Sequence, residues 1–94
     1  MPFVYVVQSK TTDRFYVGVT ADLKERLIWH IDYNKNEGFT KKGIPWEYYF
    51  TLEVENMTIA LKIERHIKRM KSRVYIQNLV KYPEISMKLL EKYS

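Results

Sequence analysis

The sequence contains no cysteine and only three glycines and three prolines among its 94 residues. Without cysteine the chain has no disulfide bonds, no thiolate zinc site and no cysteine nucleophile. The scarcity of glycine and proline excludes collagen-like repeats and long flexible linkers. No apolar run approaches the roughly 20 residues that a membrane-spanning helix needs. We therefore expect a single domain over residues 1–94, in a cytoplasmic protein with no membrane partner.

The net charge of +5 is concentrated in one short segment. Residues 57–73 carry six basic side chains and one acidic one, Glu64, whereas residues 1–56 carry seven basic and eight acidic side chains. A local excess of positive charge attracts polyanions through counterion release. An ordinary solvated helix face can look the same, so charge alone leaves a nucleic-acid partner and a plain surface equally open.

The first half of the chain predicts a hairpin, a helix and a third strand. Two β-branched and aromatic runs, residues 3–7 and 15–19, flank a polar turn as in an antiparallel hairpin. The first run is apolar throughout, which favours a central strand. Leucine and isoleucine then recur every four residues after a possible cap at Asp22, predicting a helix over about 21–34. Residues 46–52 are rich in strand formers.

The second half predicts helices. Asn56 or Thr58 can cap a basic helix. The tail from Val74 to Tyr93 shows helical periodicity in two pieces divided near Tyr82-Pro83, because Pro83 suits the first turn of a helix, so one or two short helices follow the basic one. An apolar stripe is expected along the basic helix, formed by Ala60, Ile63, Ile67, Met70 and Val74. The predicted fold is α/β of the α+β type: a small three-stranded, mostly antiparallel sheet flanked by helices, in the order β-β-α-β-α-α.

Three residues in the predicted hairpin are candidates for a site. Tyr5 and Tyr16 lie in adjacent strands, where cross-strand neighbours come close. The alternative is that both are ordinary sheet residues with their hydroxyls at the surface. Gly18 within a strand marks a bulge or a place where a ligand or another backbone segment approaches closely, and the alternative is an ordinary turn glycine.

Arg26 and His30 lie four residues apart and share one face of the first predicted helix. A guanidinium there can stabilise charge on a phosphate, and a neutral imidazole can relay a proton. The alternative is a surface pair between Asp22 and Arg26, with His30 packed against Trp29 or Tyr33.

Glu64 borders the predicted apolar stripe and is the single acid of the basic segment. A carboxylate there can hold Mg²⁺, which favours one or two carboxylates together with water and substrate phosphate. The alternative is a local ion pair with Lys68 or Arg65. A glycine-rich phosphate loop, a His-Glu-x-x-His zinc motif and a Gly-x-Ser-x-Gly elbow are absent from the sequence.

The order of these motifs resembles the GIY-YIG nuclease superfamily. Phe3-Val4-Tyr5 and Tyr16-Val17-Gly18 resemble its paired signature, and Asp22 to Leu27 with His30 resembles the helix that carries its catalytic arginine. Further likeness lies in Thr40, Pro45-Trp46, the run from Ala60 to Glu64, and Ile67-Lys68. The chain is most similar to the small single-domain bacterial branch, which resembles the N-terminal nuclease domain of the excinuclease of bacterial DNA repair.

This resemblance implies a metal-dependent endonuclease that hydrolyses DNA with one divalent ion, Mg²⁺ or Mn²⁺, held by Glu64. Tyr5 would be the base or base relay and Tyr16 would position the attacking water. Arg26 would stabilise charge on the phosphate, and His30 would assist proton movement. The residues expected to bind nucleic acid are Lys62, Arg65, Arg69, Arg73, Lys41 and Lys42. We expect a monomer, with a protein partner as one source of specificity.

Two departures from the family pattern leave alternatives open. Phe3 and Val4 replace the glycine and isoleucine of the first motif. Tyr82 stands where many family nucleases have an asparagine, and Asn78 is out of register. A nucleic-acid-binding module that has lost the chemistry is the first alternative, and a protein-interaction domain with an incidental basic face is the second.

Overall fold

The computed structural model describes residues 1–31 and 46–94, and of residues 28–31 the backbone alone. Thr40, Lys41, Lys42 and Pro45, which the sequence analysis singled out, lie outside the described residues. The described elements are β1 (Phe3–Ser9), β2 (Phe15–Thr20), α1 (Leu23–Ile31), β3 (Trp46–Glu53), α2 (Met57–Met70), α3 (Arg73–Lys81) and α4 (Pro83–Tyr93). The predicted α+β class is confirmed, and the end of the chain forms two helices that are divided near Tyr82-Pro83, as predicted.

The three strands form one antiparallel sheet in the order β2-β1-β3. The predicted hairpin and the central position of the first strand are therefore confirmed. Successive β1 residues point to opposite faces, and Val4, Tyr5, Val6 and Val7 are all buried because both faces are covered. An irregularity in the pairing with β3 lies between Val6 and Val7.

Helices cover the two faces of the sheet unequally. On one face, Val4 and Val6 pack with buried residues of α2, α3 and α4, among them Ile63, Leu79 and Leu89. On the other face, a smaller cluster contains Tyr5, Val7 and Trp46, with Leu23 of α1 packed against it together with Tyr16 and Tyr48. Apolar area on both faces is thus removed from water, which is the main driving force for this arrangement.

The predicted apolar stripe was wrong at its end. Helix α2 stops at Met70, Lys71 takes a left-handed conformation with φ of 48°, and the Ser72 hydroxyl oxygen accepts a hydrogen bond from the Tyr75 amide at 3.1 Å to begin α3. Met70, the last residue of α2, and Val74, which lies beyond the break in α3, are 45% and 62% exposed. Ala60, Ile63 and Ile67 are buried as predicted.

Other helix ends follow their sequence signals. The Asn56 side chain accepts a hydrogen bond from the Ile59 amide at 2.9 Å, which caps α2. Pro83 occupies the first turn of α4, where its missing N–H has no helical partner to lose. In the described parts of the chain, no helix is long and apolar enough to cross a membrane.

Candidate active site

The hairpin places Tyr5 directly over Gly18. The two residues are cross-strand partners in β1 and β2, and Tyr5 is only 2% exposed. A Cβ atom added to Gly18 would lie 2.5 Å from the Tyr5 hydroxyl oxygen and 2.6 Å from its Cζ. Another group does approach Gly18 closely, but it is the Tyr5 side chain rather than the ligand or backbone segment that the sequence predicts: the missing side chain makes room for the tyrosine ring.

Tyr16 lies on the same face of the hairpin as Tyr5, two residues from Gly18 along β2. Its ring meets that of Trp46 edge-on with centroids 6.5 Å apart. Tyr5 in turn meets Tyr48 edge-on at 5.7 Å. Edge-to-face pairs of this kind hold rings in fixed orientations. The aromatic cluster therefore fixes the direction of the Tyr5 hydroxyl.

Arg26 is brought to this face by the start of α1. The Asp22 carboxylate accepts a hydrogen bond from the Glu25 amide at 3.0 Å, so the predicted cap is confirmed. The Tyr48 hydroxyl donates a hydrogen bond to the Leu23 carbonyl oxygen and thereby ties β3 to α1. Arg26 lies one turn further along, half-buried, beside a cleft of about 360 Å³.

Glu64 reaches the site from α2, which packs along β2 and β1. Its side chain is 19% exposed, which confirms the predicted position at the border of the core, and its carboxylate pairs with Lys68 Nζ at 3.7 Å. The same Lys68 ammonium lies 6.0 Å from the centre of the Tyr16 ring. Glu64, Lys68 and Tyr16 therefore form a continuous row at the edge of the sheet.

The pKa of the Tyr5 hydroxyl depends on several of these groups. Burial raises the pKa of the Tyr5 hydroxyl well above its ordinary value of 10.0, and the positive charge of Arg26 acts in the opposite direction. Tyr16, Tyr48 and Glu64 each raise the same pKa further. Three of the other predicted site residues thus lie within electrostatic reach of one hydroxyl, and that hydroxyl is neutral at neutral pH.

The remaining predicted residues lie in different surroundings. His30 belongs to α1, but its side chain lies outside the described residues, as do Lys41 and Lys42. Lys62, Arg65 and Arg69 are exposed on α2. Their roles in binding stay predictions.

Arg73, in contrast, is engaged within the chain. One guanidinium nitrogen donates a hydrogen bond to the Asp13 carbonyl oxygen at 2.7 Å, and the other lies 3.1 Å from the Asp13 carboxylate. The guanidinium also lies 4.8 Å from the centre of the Phe15 ring. This contact joins residues that are 60 positions apart and could not be predicted from local spacing.

Sequence reasoning missed two contributors to the site. Tyr48 packs against Tyr5 and hydrogen-bonds to α1, but in the sequence it is one of several aromatic residues in the third strand, and no motif distinguishes it from its neighbours. Lys68 is indicated by the sequence only as a salt-bridge partner of Glu64. The spacing of four residues predicts that Lys68 and Glu64 share one face of a helix. The sequence does not predict that Lys68 lies close to Tyr16, because that distance depends on how α2 packs against β2.

The side chains at the candidate site fit a metal ion that takes its remaining ligands from water and from the substrate. Among residues 1–27 and 46–94, whose side chains the structure describes, no group of three or more histidine, aspartate or glutamate side chains could hold a metal ion. A lone, partly exposed carboxylate such as Glu64 suits Mg²⁺, which retains several waters and takes further oxygens from phosphate. The residues present therefore fit a single divalent ion bound together with substrate.

Comparison with known proteins agrees with this arrangement. The family model described as the GIY-YIG catalytic domain matches residues 1–78, most of the chain. Searches of curated proteins and of solved structures find no match. The matched range spans all of the residues just described, from Tyr5 to Arg73, and it ends within α3. The chain therefore belongs to the GIY-YIG catalytic domain family.

Proposed function

We propose that this protein is a divalent-metal-dependent endonuclease that hydrolyses phosphodiester bonds in DNA. GIY-YIG nucleases generally use a divalent metal ion. The observation that carries the proposal is the convergence of Tyr5, Tyr16, Arg26 and Glu64, from three separate parts of the chain, around one buried hydroxyl. An ordinary sheet surface has no reason to collect a guanidinium, a carboxylate and two phenols at one point.

In the reaction, a water oxygen bonds to phosphorus while the bond to the leaving sugar oxygen breaks. Tyr16 orients the water, and the Tyr5 hydroxyl takes up the water's proton as its own proton passes to solvent, so that Tyr5 is neutral again after the step. The departing sugar oxygen takes a proton from solvent and leaves as an alcohol. Arg26 donates hydrogen bonds to the phosphate oxygens, whose negative charge grows in the transition state. Each role suits the chemistry of its side chain, and the aromatic packing of Tyr5 keeps its hydroxyl from moving during the step.

Glu64 would hold the metal ion, which supplies Lewis-acid stabilisation of the phosphate and of the departing oxygen. Glu64 contributes a second effect of its own. Its negative charge raises the pKa of Tyr5 in the metal-free chain. Neutralising that charge removes one of the influences that keep Tyr5 protonated, so that a filled site favours proton transfer through the tyrosine.

One observation favours a second candidate, a nucleic-acid-binding module without catalysis. Lys68 Nζ lies 3.7 Å from the Glu64 carboxylate, and a cation already paired with Glu64 competes with a metal ion for it. In this candidate Lys68 and its basic neighbours bind phosphate, and Glu64 serves to hold Lys68 in place. Exposed pairs of this kind are weak, however, so a divalent ion can displace the ammonium at little cost.

The test is cleavage of supercoiled plasmid, branched DNA and single-stranded DNA in Mg²⁺ or Mn²⁺, with and without EDTA. The informative variant is Glu64→Gln, which keeps the size of the side chain and removes its charge. The matched control is Glu91→Gln, the same change at an exposed position of α4. Loss of a metal ligand removes several kcal/mol of transition-state stabilisation, so we expect Glu64→Gln to slow cleavage at least about 100-fold.

The control variant should cleave at the wild-type rate. Equal products from wild type and Glu64→Gln would reject catalysis and identify the cleavage as contamination. Metal-independent binding by both proteins, with cleavage by neither, would establish the binding module instead.

A further inference from the structure

A second cleft opens beside Tyr16, on the side away from Arg26. It measures about 430 Å³ and lies between β2 and the junction of α2 with α3. Its floor is apolar, formed by Val17, Ile67 and Ile76 of the core. Its rim carries Arg14, Phe15, Tyr16, Lys68, Lys71 and Arg73. Four of these six side chains are cationic, so the cleft is complementary to a polyanion.

The cleft is directly connected to the candidate active site. Tyr16 lines the cleft and also belongs to the aromatic cluster with Trp46, and Lys68 lines it while pairing with Glu64. The shared residues Tyr16 and Lys68 give a strand bound at the candidate active site a continuous path into the cleft.

The rim also presents a preformed stacking surface. The Arg73 guanidinium is fixed by two contacts with Asp13 and lies 4.8 Å from the Phe15 ring centre. Guanidinium planes and aromatic rings are the groups on which unpaired bases stack. A cleft for phosphate alone would need the cations but would have no use for an apolar floor or a fixed planar group.

We propose that this cleft is a subsite for the nucleotide adjacent to the scissile phosphate. The phosphate of that nucleotide contacts Arg14 and Lys71, and its unpaired base lies over Arg73 and the apolar floor. The proposal rests on the proposed function for the position of the scissile phosphate. It deepens that function by naming the substrate class. A base within a duplex is stacked and paired, so the cleft takes a single-stranded or locally unpaired segment.

The experiment measures binding without cleavage, in EDTA, so that it is independent of catalysis. The probes are a short fluorescein-labelled oligothymidylate, which has no secondary structure, and a blunt duplex of the same length. Fluorescence anisotropy gives Kd as a function of salt. For the wild type we expect the single strand to bind at least about fivefold more tightly than the duplex, which is the contribution of one stacked base.

Two variants separate the charge of the cleft from its stacking surface. Lys71→Gln removes one phosphate contact, so the slope of log K against log salt should decrease by about 0.7 for the single strand. Arg73→Lys keeps the charge and removes the planar group, so single-strand affinity should fall about fivefold with the salt slope unchanged. Lys88→Gln, at an exposed position of α4, is the control and should bind like the wild type.

Two outcomes would overturn the subsite: duplex binding as tight as single-strand binding, or equal effects of Lys71→Gln and Lys88→Gln. Lys62→Gln adds a further arm, because a loss there equal to that of Lys71→Gln would assign binding to the whole basic helix rather than to the cleft. Cleavage that fails while these binding results hold would reject the proposed function and leave the cleft as a binding site for an unpaired nucleotide. The converse result, cleavage with no role for the cleft, would reject the subsite alone.

Discussion

The contact between Tyr5 and Gly18 makes a sharp prediction for Gly18→Ala. The added Cβ would lie 2.5 Å from the Tyr5 hydroxyl oxygen, whereas ordinary contacts begin at 3.4 Å. The hydroxyl must therefore move by at least about 0.9 Å, the difference between those two distances, or the strands must separate by a comparable amount. Tyr48 packs edge-on against Tyr5 at 5.7 Å, so a ring that moves away from the added methyl group also gives up its present packing.

The two ways of relieving this clash have different consequences. Overpacking of a well-packed interior costs about 1–3 kcal/mol, and for a domain of this size each kcal/mol lowers Tm by about 4–8 °C. Misplacing a catalytic group by about 1 Å costs about 100-fold in rate. Because the atoms in contact lie at the far end of the tyrosine side chain, we expect the ring to move. The loss of cleavage should therefore exceed what the loss of stability explains.

The assay pairs urea or thermal unfolding with cleavage rates measured well below Tm. Val19→Ala is the matched control: it lies next to Gly18 in β2, packs into the other face of the sheet, and loses about 1–2 kcal/mol of apolar burial. Val19→Ala should be destabilised but active, and Gly18→Ala destabilised and nearly inactive. Wild-type stability and activity in Gly18→Ala would refute the close approach, and equal residual activity in the two variants would refute the displaced hydroxyl.

Three further variants test the electrostatics. Burial holds the pKa of Tyr5 above 10.0, so above pH 10 the folded state keeps a proton that the unfolded state loses, and the free energy of unfolding should fall as pH rises. Urea unfolding should show a loss of about 1 kcal/mol between about pH 10 and 11, and Tyr5→Phe should abolish this loss. Burial lowers the pKa of His66 from 6.5, and the positive charges of Lys92 and Arg69 lower it further. Because the unfolded state then binds a proton more readily than the folded state, the free energy of unfolding should fall as pH drops from about 7 to 5, and His66→Gln should flatten that part of the profile. Arg73→Lys should cost no more than about 1 kcal/mol in chemical denaturation, because the ion pair that it weakens is exposed.

The parts of the fold that follow from short-range pattern were predictable. The hairpin, the central strand and the caps at Asp22 and Asn56 each depend on a few neighbouring residues whose preferences agree with the final structure. Pro83 marks a helix start because its ring and its missing N–H fit the first turn alone. The site residues Tyr5, Arg26 and Glu64 were found because they follow the order of a known family rather than from periodicity.

The break between α2 and α3 could not be predicted in this way. A left-handed residue at a helix end is usually glycine or asparagine, and here it is Lys71, which gives no such signal. The apolar spacing continues across the break to Val74, so periodicity places the end of the basic helix at Val74 rather than at Met70. The consequence is functional as well as structural, because the break places Lys71 and Arg73 on the rim of the cleft rather than along the exposed face of α2.

The basic side chains of residues 57–73 divide into two groups, according to whether they lie near Glu64 and β2. Lys68 pairs with Glu64 and, with Lys71, lies on the side of α2 that meets β2, whereas Lys62, Arg65 and Arg69 face solvent. Cations on the side of β2 can act on a phosphate held near Tyr16. Lys62, Arg65 and Arg69 lie on the exposed surface of α2, and their predicted contacts with nucleic acid stay predictions. We expect the cations of the segment to act in two places, and the comparison of Lys62→Gln with Lys71→Gln measures the share of each.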